Sequence, residues 1–205
     1  MTKRLSLLVG LAVLGLVLVI VAVTVLARPA GRDEQGAAAP TVSRGGAAGD
    51  ELSNAIARLQ GTLGTSPQNY RAWAELGLLY VEQARVTADP SYYPKADGAL
   101  QTSLDLNDTV NDVARSGMGV LANARHEFAD AADWARKALE INPAGSTSFG
   151  VLADALTQLG DYDGATQAIQ QMLDLKPGLP ASTRASYNLE LHGNIDGARA
   201  ALEQA

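Results

Sequence analysis

From residue 50 onward the chain repeats itself about every 34 residues, and this recurrence limits its fold more than any other feature. In the clearest unit, Phe149-x2-Leu152-Ala153-x2-Leu156 lays an apolar stripe along one helical face. Leu159-Gly160-Asp161-Tyr162-Asp163-Gly164 breaks the period, and Ala165-x3-Ile169-x2-Met172-Leu173-x-Leu175 begins a second face. Pro177 then closes the unit, since proline cannot continue a helix. A step of 34 back from Ala165 reaches Ala131, a further 35 reaches Ala96, and 33 forward from Ala165 reaches Ala198. Pro177 pairs in the same way with Pro143, Gly160 with Gly193 and Ala153 with Gly119. Each unit is therefore two helices and a tight turn, with small residues where the helices cross. Trp73, Leu76, Tyr80, Leu100, Phe149, Leu156, Ile169 and Leu202 are expected to fill the spaces between them. One such hairpin cannot bury its own apolar face, so the units must stack.

The first unit carries Trp73, Leu76, Gly77 and Tyr80 in the order W-x2-L-G-x2-Y. Together with the period, this resembles the tetratricopeptide repeat over about residues 50–205. The resemblance implies an all-α solenoid of stacked helical hairpins, of about three and a half to four repeats. The expected bounds are a capping helix over 50–67, a first repeat over 70–110 with an insertion at 84–96, a second over 112–143, a third over 146–177 and an incomplete fourth over 179–205. The second unit departs from the pattern: Arg115 stands in place of the aromatic residue and Ala135 in place of a bulky one, with Trp134 as a neighbouring substitute. The fourth lacks a closing proline and a polar cap, which solenoids need for solubility. Either a partner or a second copy is expected to cover that end, or the chain is a truncated form.

Ahead of the repeats, residues 1–5 are short and basic, and residues 6–26 form an uncharged apolar run. Twenty-one residues at about 1.5 Å each match the roughly 30 Å of a bilayer's hydrocarbon, so a single transmembrane helix is expected. A cleaved signal peptide is the rival, although its apolar core is usually only about 7–15 residues long. Lys3 and Arg4 before the run are balanced by Arg28 and Arg32 after it, so the positive-inside rule gives no clear orientation. The expectation is a single-pass membrane protein with its repeats on the extracytoplasmic side. Residues 27–49, rich in Gly and Ala, read as a flexible linker.

Charge and chemistry exclude much. Residues 1–49 are net +3 and residues 50–205 net −9, so the repeats do not suit nucleic acid. The chain has no cysteine, hence no disulfide, thiolate nucleophile or thiolate metal site. His126-Glu127 lacks the second histidine of H-E-x-x-H, and His192 is distant. Asp161-Tyr162-Asp163-Gly164 and Asn194-Ile195-Asp196-Gly197 faintly echo a calcium loop but lack its closing glutamate, and read as turns between helices. No nucleophile elbow, phosphate loop or dinucleotide fingerprint is present. No enzyme, metal or cofactor is expected.

The resemblance also implies a concave face, lined by the first helix of each repeat, that binds a peptide segment or helix of a partner protein. The groove positions it implies are Arg71, Ala74, Leu78, Val81 and Glu82 in the first unit. They continue as Val113, Ser116, Val120, Asn123 and Ala124, then Thr147, Gly150, Asp154, Thr157 and Gln158, then Thr183, Tyr187, Glu190 and Leu191. The lining is small and polar without a cluster of Lys and Arg, which suits an extended segment of mixed or basic character. Tyr92 and Tyr93 in the insertion are a second candidate contact, against the alternative that they pack back onto the first hairpin. The expected function is a membrane-tethered, non-catalytic scaffold for envelope proteins. The first alternative is a subunit that holds apocytochrome during c-type cytochrome maturation, and the second is an accessory domain of a longer protein. The oligomeric state stays open.

Overall fold

The computed structural model describes residues 44–203, with side chains from Gly49. They form nine helices: α1 (Arg44–Thr65), α2 (Tyr70–Thr87), α3 (Tyr92–Leu106), α4 (Asp112–Ala124), α5 (Phe128–Ile141), α6 (Ser146–Leu159), α7 (Tyr162–Leu175), α8 (Leu179–Leu191) and α9 (Ile195–Glu203). Helices α2 to α9 make four antiparallel hairpins, and the first helices α2, α4, α6 and α8 stack in order. Lone α1 packs on α2 and buries Ile56 and Leu63 there. The fold is an all-α solenoid of helical hairpins.

Close approach at the crossings follows from small side chains. Ala96, Ala131, Ala165 and Ala198 are all buried. In the first hairpin, Leu100 is fully enclosed between glycines, and a Cβ at either Gly77 or Gly117 would lie 2.5 Å from its side chain. Hydrogen bonds then set the next hairpin on the first. The Ser103 hydroxyl donates to the Tyr70 carbonyl at 2.6 Å, while buried Asn111 donates to that hydroxyl at 2.8 Å. Asn111 also caps α4, its Oδ1 accepting from the Ala114 amide. The D-x-x-G and N-x-x-G stretches cap helices in the same way. Asp161 accepts from the Gly164 amide and Asn194 from that of Gly197, both at 2.9 Å.

Several expectations are corrected. No helix among the described residues is long and apolar enough to cross a membrane, which overturns the single-pass localisation and its extracytoplasmic repeats. The physical reason is that the longest helices, α1 and α2, carry charges at Glu51, Arg58, Arg71, Glu75, Glu82 and Arg85, so their apolar residues form stripes. The run over 6–26 and most of the linker lie outside the described residues. Helix α1 begins at Arg44, six residues inside the stretch expected as linker. The insertion at 84–96 is mostly helix: α2 continues through Thr87, and α3 starts at Tyr92. Only Ala88, in a left-handed conformation at φ 52°, and the three residues after it join them. Nothing in 84–87 breaks a helix, and the apolar face of α2 continues into Ala84, which is buried. Finally, Leu202 fills no gap. It is 47% exposed, whereas Ile169, at the same place one repeat earlier, is 5% exposed beneath α8.

Candidate binding groove

The first helices bring most of the expected groove residues onto one run of three depressions. The first, about 320 Å³, lies where α2, α4 and α6 meet and is lined by Leu78, Ser116 and Thr147 with Asp112, Val113 and Lys176. The second, about 240 Å³, takes Val120, Asn123, Thr147, Gly150 and Asp154 together with Arg184. The third, about 140 Å³, takes Asp154, Thr157, Gln158 and Tyr187, again with Arg184. Thr147 is shared by the first two and Asp154 by the last two, so the depressions adjoin along α4, α6 and α8.

Polar groups of this run are unevenly satisfied. The Ser116 hydroxyl is buried without a partner, and so is Asn123 Oδ1. The Asn123 amide nitrogen donates to the Val151 carbonyl at 3.0 Å, tying α4 to α6. Thr157 turns its hydroxyl back onto the Ala153 carbonyl at 2.8 Å. Asp154 is held in a two-pronged pair, with Arg184 Nε donating at 2.8 Å and Nη2 at 2.6 Å. Arg184 Nη1 also donates to the Pro180 carbonyl at 3.0 Å. The guanidinium lies over Gly150, whose missing Cβ leaves it room at 3.4 Å.

Other expected positions fall elsewhere. Ala74 and Val81 are in the core rather than the groove, because α2 turns those faces toward its neighbours. Arg71 is exposed, with its guanidinium 5.4 Å from the centre of the Tyr70 ring. Glu82 pairs with Arg85 along α2 at 2.5 Å, and the hydrogen bond from Arg85 holds the Glu82 carboxyl below its ordinary range. Ala124 packs against the core cluster of the first hairpin. Thr183, Glu190 and Leu191 line none of the three depressions. Tyr92 and Tyr93 sit in the first turn of α3, half-buried against the cluster built on Ile56, Leu76 and Leu100. The Tyr92 ring centre is 6.1 Å from that of Tyr80, so helix packing has taken up the insertion's aromatic surface.

Arg184 is the groove residue that reading the sequence missed. Its one signal is a step of 34 back to Gly150, which places an arginine opposite a mid-helix glycine. A larger depression of about 480 Å³ opens on the other face of α6, between α5 and α7. Phe149, Leu152 and Leu156 line it together with Arg136, Asp161 and three glutamines of α7.

No family model and no curated protein sequence matches this chain. Solved structures do. A crystal structure of MamA is 20% identical at a TM-score of 0.53, over 76% of this chain and 86% of that one. A second MamA crystal structure is 20% identical at 0.52, over 76% and 81%. A third, described as MamA MSR-1 C2, is 19% identical at 0.51, over 76% and 85%. At that identity the likeness shows the fold alone, a helical-hairpin solenoid of tetratricopeptide type.

Proposed function

We propose that this chain is a non-catalytic scaffold that holds a segment of a partner protein in the groove along α2, α4, α6 and α8. The observation that carries this reading is the continuity of the three depressions, whose lining keeps two buried polar atoms, Ser116 Oγ and Asn123 Oδ1, without partners. An extended segment carries main-chain N–H and C=O groups along its length, and the small side chains of the lining let its backbone come close. Lys176 and Arg184 balance Asp112 and Asp154 in the lining, so local charge is even, while residues 50–205 as a whole are net −9. That field favours partners of mixed or basic character through the rate of encounter more than through final affinity.

The test is selection of a random peptide library on the full chain, followed by titration of the selected peptides. Thr147→Trp fills the shared rim of the first two depressions from an exposed position. It is expected to weaken binding at least about tenfold, equivalent to about 1.4 kcal/mol. Gln101→Trp on the exposed side of α3 is expected to leave binding unchanged. Peptides that bind Thr147→Trp as well as the original chain would place the contact elsewhere and sink the proposal, as would a selection that enriches nothing.

A further inference from the structure

The three linkers between successive hairpins are built differently. In the first, Asn107 Oδ1 accepts from the Thr109 and Val110 amides, and Asn111 is buried against Ser103. In the second, Asn142 donates to Asp112 at 2.7 Å and accepts from the Ala144 amide, which pins the linker to α4. A step of 35 carries Asn107 to Asn142, and a further 34 reaches Lys176. Lysine has no acceptor atom and cannot form that turn. Among the described residues no side-chain hydrogen bond ties residues 176–178, and Gly178 stands at φ 138°, where essentially only glycine goes.

The surface that follows this linker is also the least apolar of the stack. Helix α8 buries only Ala181, Ser182, Ser186 and Asn188, and gives a single side chain, Ala185, to the neighbouring apolar cluster. Of its large residues, Leu179, Tyr187 and Leu191 are exposed, and Leu189 is half-buried. Asn188 Nδ2 is buried without a partner, while its Oδ1 accepts from Thr166 at 3.1 Å. The strongest bond from α8 to the preceding repeat is therefore the pair between Arg184 and Asp154. That pair also stands between the second and third depressions.

We infer that the last hairpin, α8–α9, is a hinged flap that turns at Pro177 and Gly178 and is latched over the groove by the Asp154–Arg184 pair. Release of the latch joins the second and third depressions, so the groove accepts a bulkier partner segment. This regulation rests on the groove reading above, but the motion itself needs no partner to be measured.

The natural absence of cysteine allows clean spin labelling of the full chain. One pair of labels at Gln101→Cys on α3 and Ala200→Cys on α9 spans the hinge, and a control pair at Gln101→Cys and Asp163→Cys on α7 does not. Pulsed electron–electron distance measurement is expected to show a second distance for the spanning pair alone. Arg184→Met, which keeps the side-chain stem, is expected to raise that population about fivefold, the factor for losing an ion pair worth about 1 kcal/mol. Raising salt from about 0.05 M to about 0.5 M is expected to move the unmodified latch in the same direction. If Arg184→Met proves unfolded by circular dichroism, Asp154→Asn and the salt series decide instead. A single unchanged distance under both perturbations overturns the hinge, and equal broadening of both pairs reduces the latch to a general stabiliser. Peptide binding lost in Thr147→Trp without a second distance would remove the flap and leave the groove standing. A second distance with no groove binding would do the reverse.

Discussion

Gly77→Ala is a substitution for which helix propensity and packing give opposite signs. Gly77 lies in the middle of α2, where exchanging glycine for alanine favours the helix by about 1 kcal/mol. An added Cβ, however, meets Leu100 Cγ at 2.5 Å, Leu100 Cδ2 at 2.8 Å and the Ala96 carbonyl at 3.2 Å. Leu100 has nowhere to retreat, because the Cβ position at Gly117 is also 2.5 Å from its Cδ2. Forcing a methyl into such a core costs about 2–3 kcal/mol, so the net expectation is a loss of about 1–2 kcal/mol. Gly98 on α3 is the control, since it is exposed and nothing lies within 4 Å of its Cβ position. Gly98→Ala should gain about 0.5–1 kcal/mol from propensity alone. Leu100→Ala by itself should cost about 3 kcal/mol. In that background the clashing Cγ and Cδ2 are gone, and Gly77→Ala should turn favourable, giving a coupling of about 2–3 kcal/mol. Urea denaturation of the four variants, followed by circular dichroism at fixed pH and salt, measures all of these terms. If Gly77→Ala raises the midpoint as Gly98→Ala does, glycine is not there for close helix approach and the packing argument fails.

Two further substitutions follow from the turns and charges. His126 holds φ 63° in the turn between α4 and α5, a place where the turn between α6 and α7 has Gly160 at φ 81°, so His126→Gly should raise stability by about 0.5–1 kcal/mol, read as a higher urea midpoint; a lower midpoint would mean that the edge-on contact of the histidine with Phe128 outweighs the strain. The Glu82 carboxyl is held below its ordinary value by the Arg85 hydrogen bond, so its contribution is present above the unfolded-state value and fades as pH falls through the folded one. Glu82→Gln should then cost a few tenths of a kcal/mol near neutral pH, because the pair is largely exposed, and progressively less as pH falls through the lowered folded value; a loss that does not change with pH would remove the ion pair as the cause.

The parts of the fold legible in the sequence are those fixed by steric exclusion. At Gly77, Gly117 and Gly119 a Cβ would lie within 3 Å of a facing side chain, so small residues recur at crossings whatever else drifts. Asp161 and Asn194 are legible for another reason, since each stands at a helix start where its side chain accepts from the amide three residues on. The insertion at 84–96 stands out as extra length against the period, and its prolines do not keep it from being helix, because a proline in the first turn of a helix loses no hydrogen bond. Pro94 is the third residue of α3, and the helix begins ahead of it. The exposure of Leu202 is illegible for another reason. Burial at that register depends on a further helix, as Ile169 depends on α8.

The groove is legible as a list of positions but not as an arrangement of charge. A period of 33 to 35 residues says which residues occupy equivalent places, whereas the meeting of Asp154 with Arg184 depends on how α8 is rotated against α6. Taken alone, Asp154 is an open carboxylate that recruits a cation from a partner. In the folded chain both of its oxygens already accept from an internal guanidinium, so a partner's cation gains less there than at an unpaired acid. Asp112 is likewise engaged by Asn142. The Ser116 hydroxyl and Asn123 Oδ1, both on α4, are uncharged and lack a partner, but both atoms are buried beneath the groove surface. On the groove reading proposed above, binding would rest on close backbone approach to the small lining residues, and the acidic exterior would act earlier, on encounter. Raising salt should accordingly slow association of a basic segment and leave its dissociation rate nearly unchanged, unless the latch at Arg184 opens in the same range.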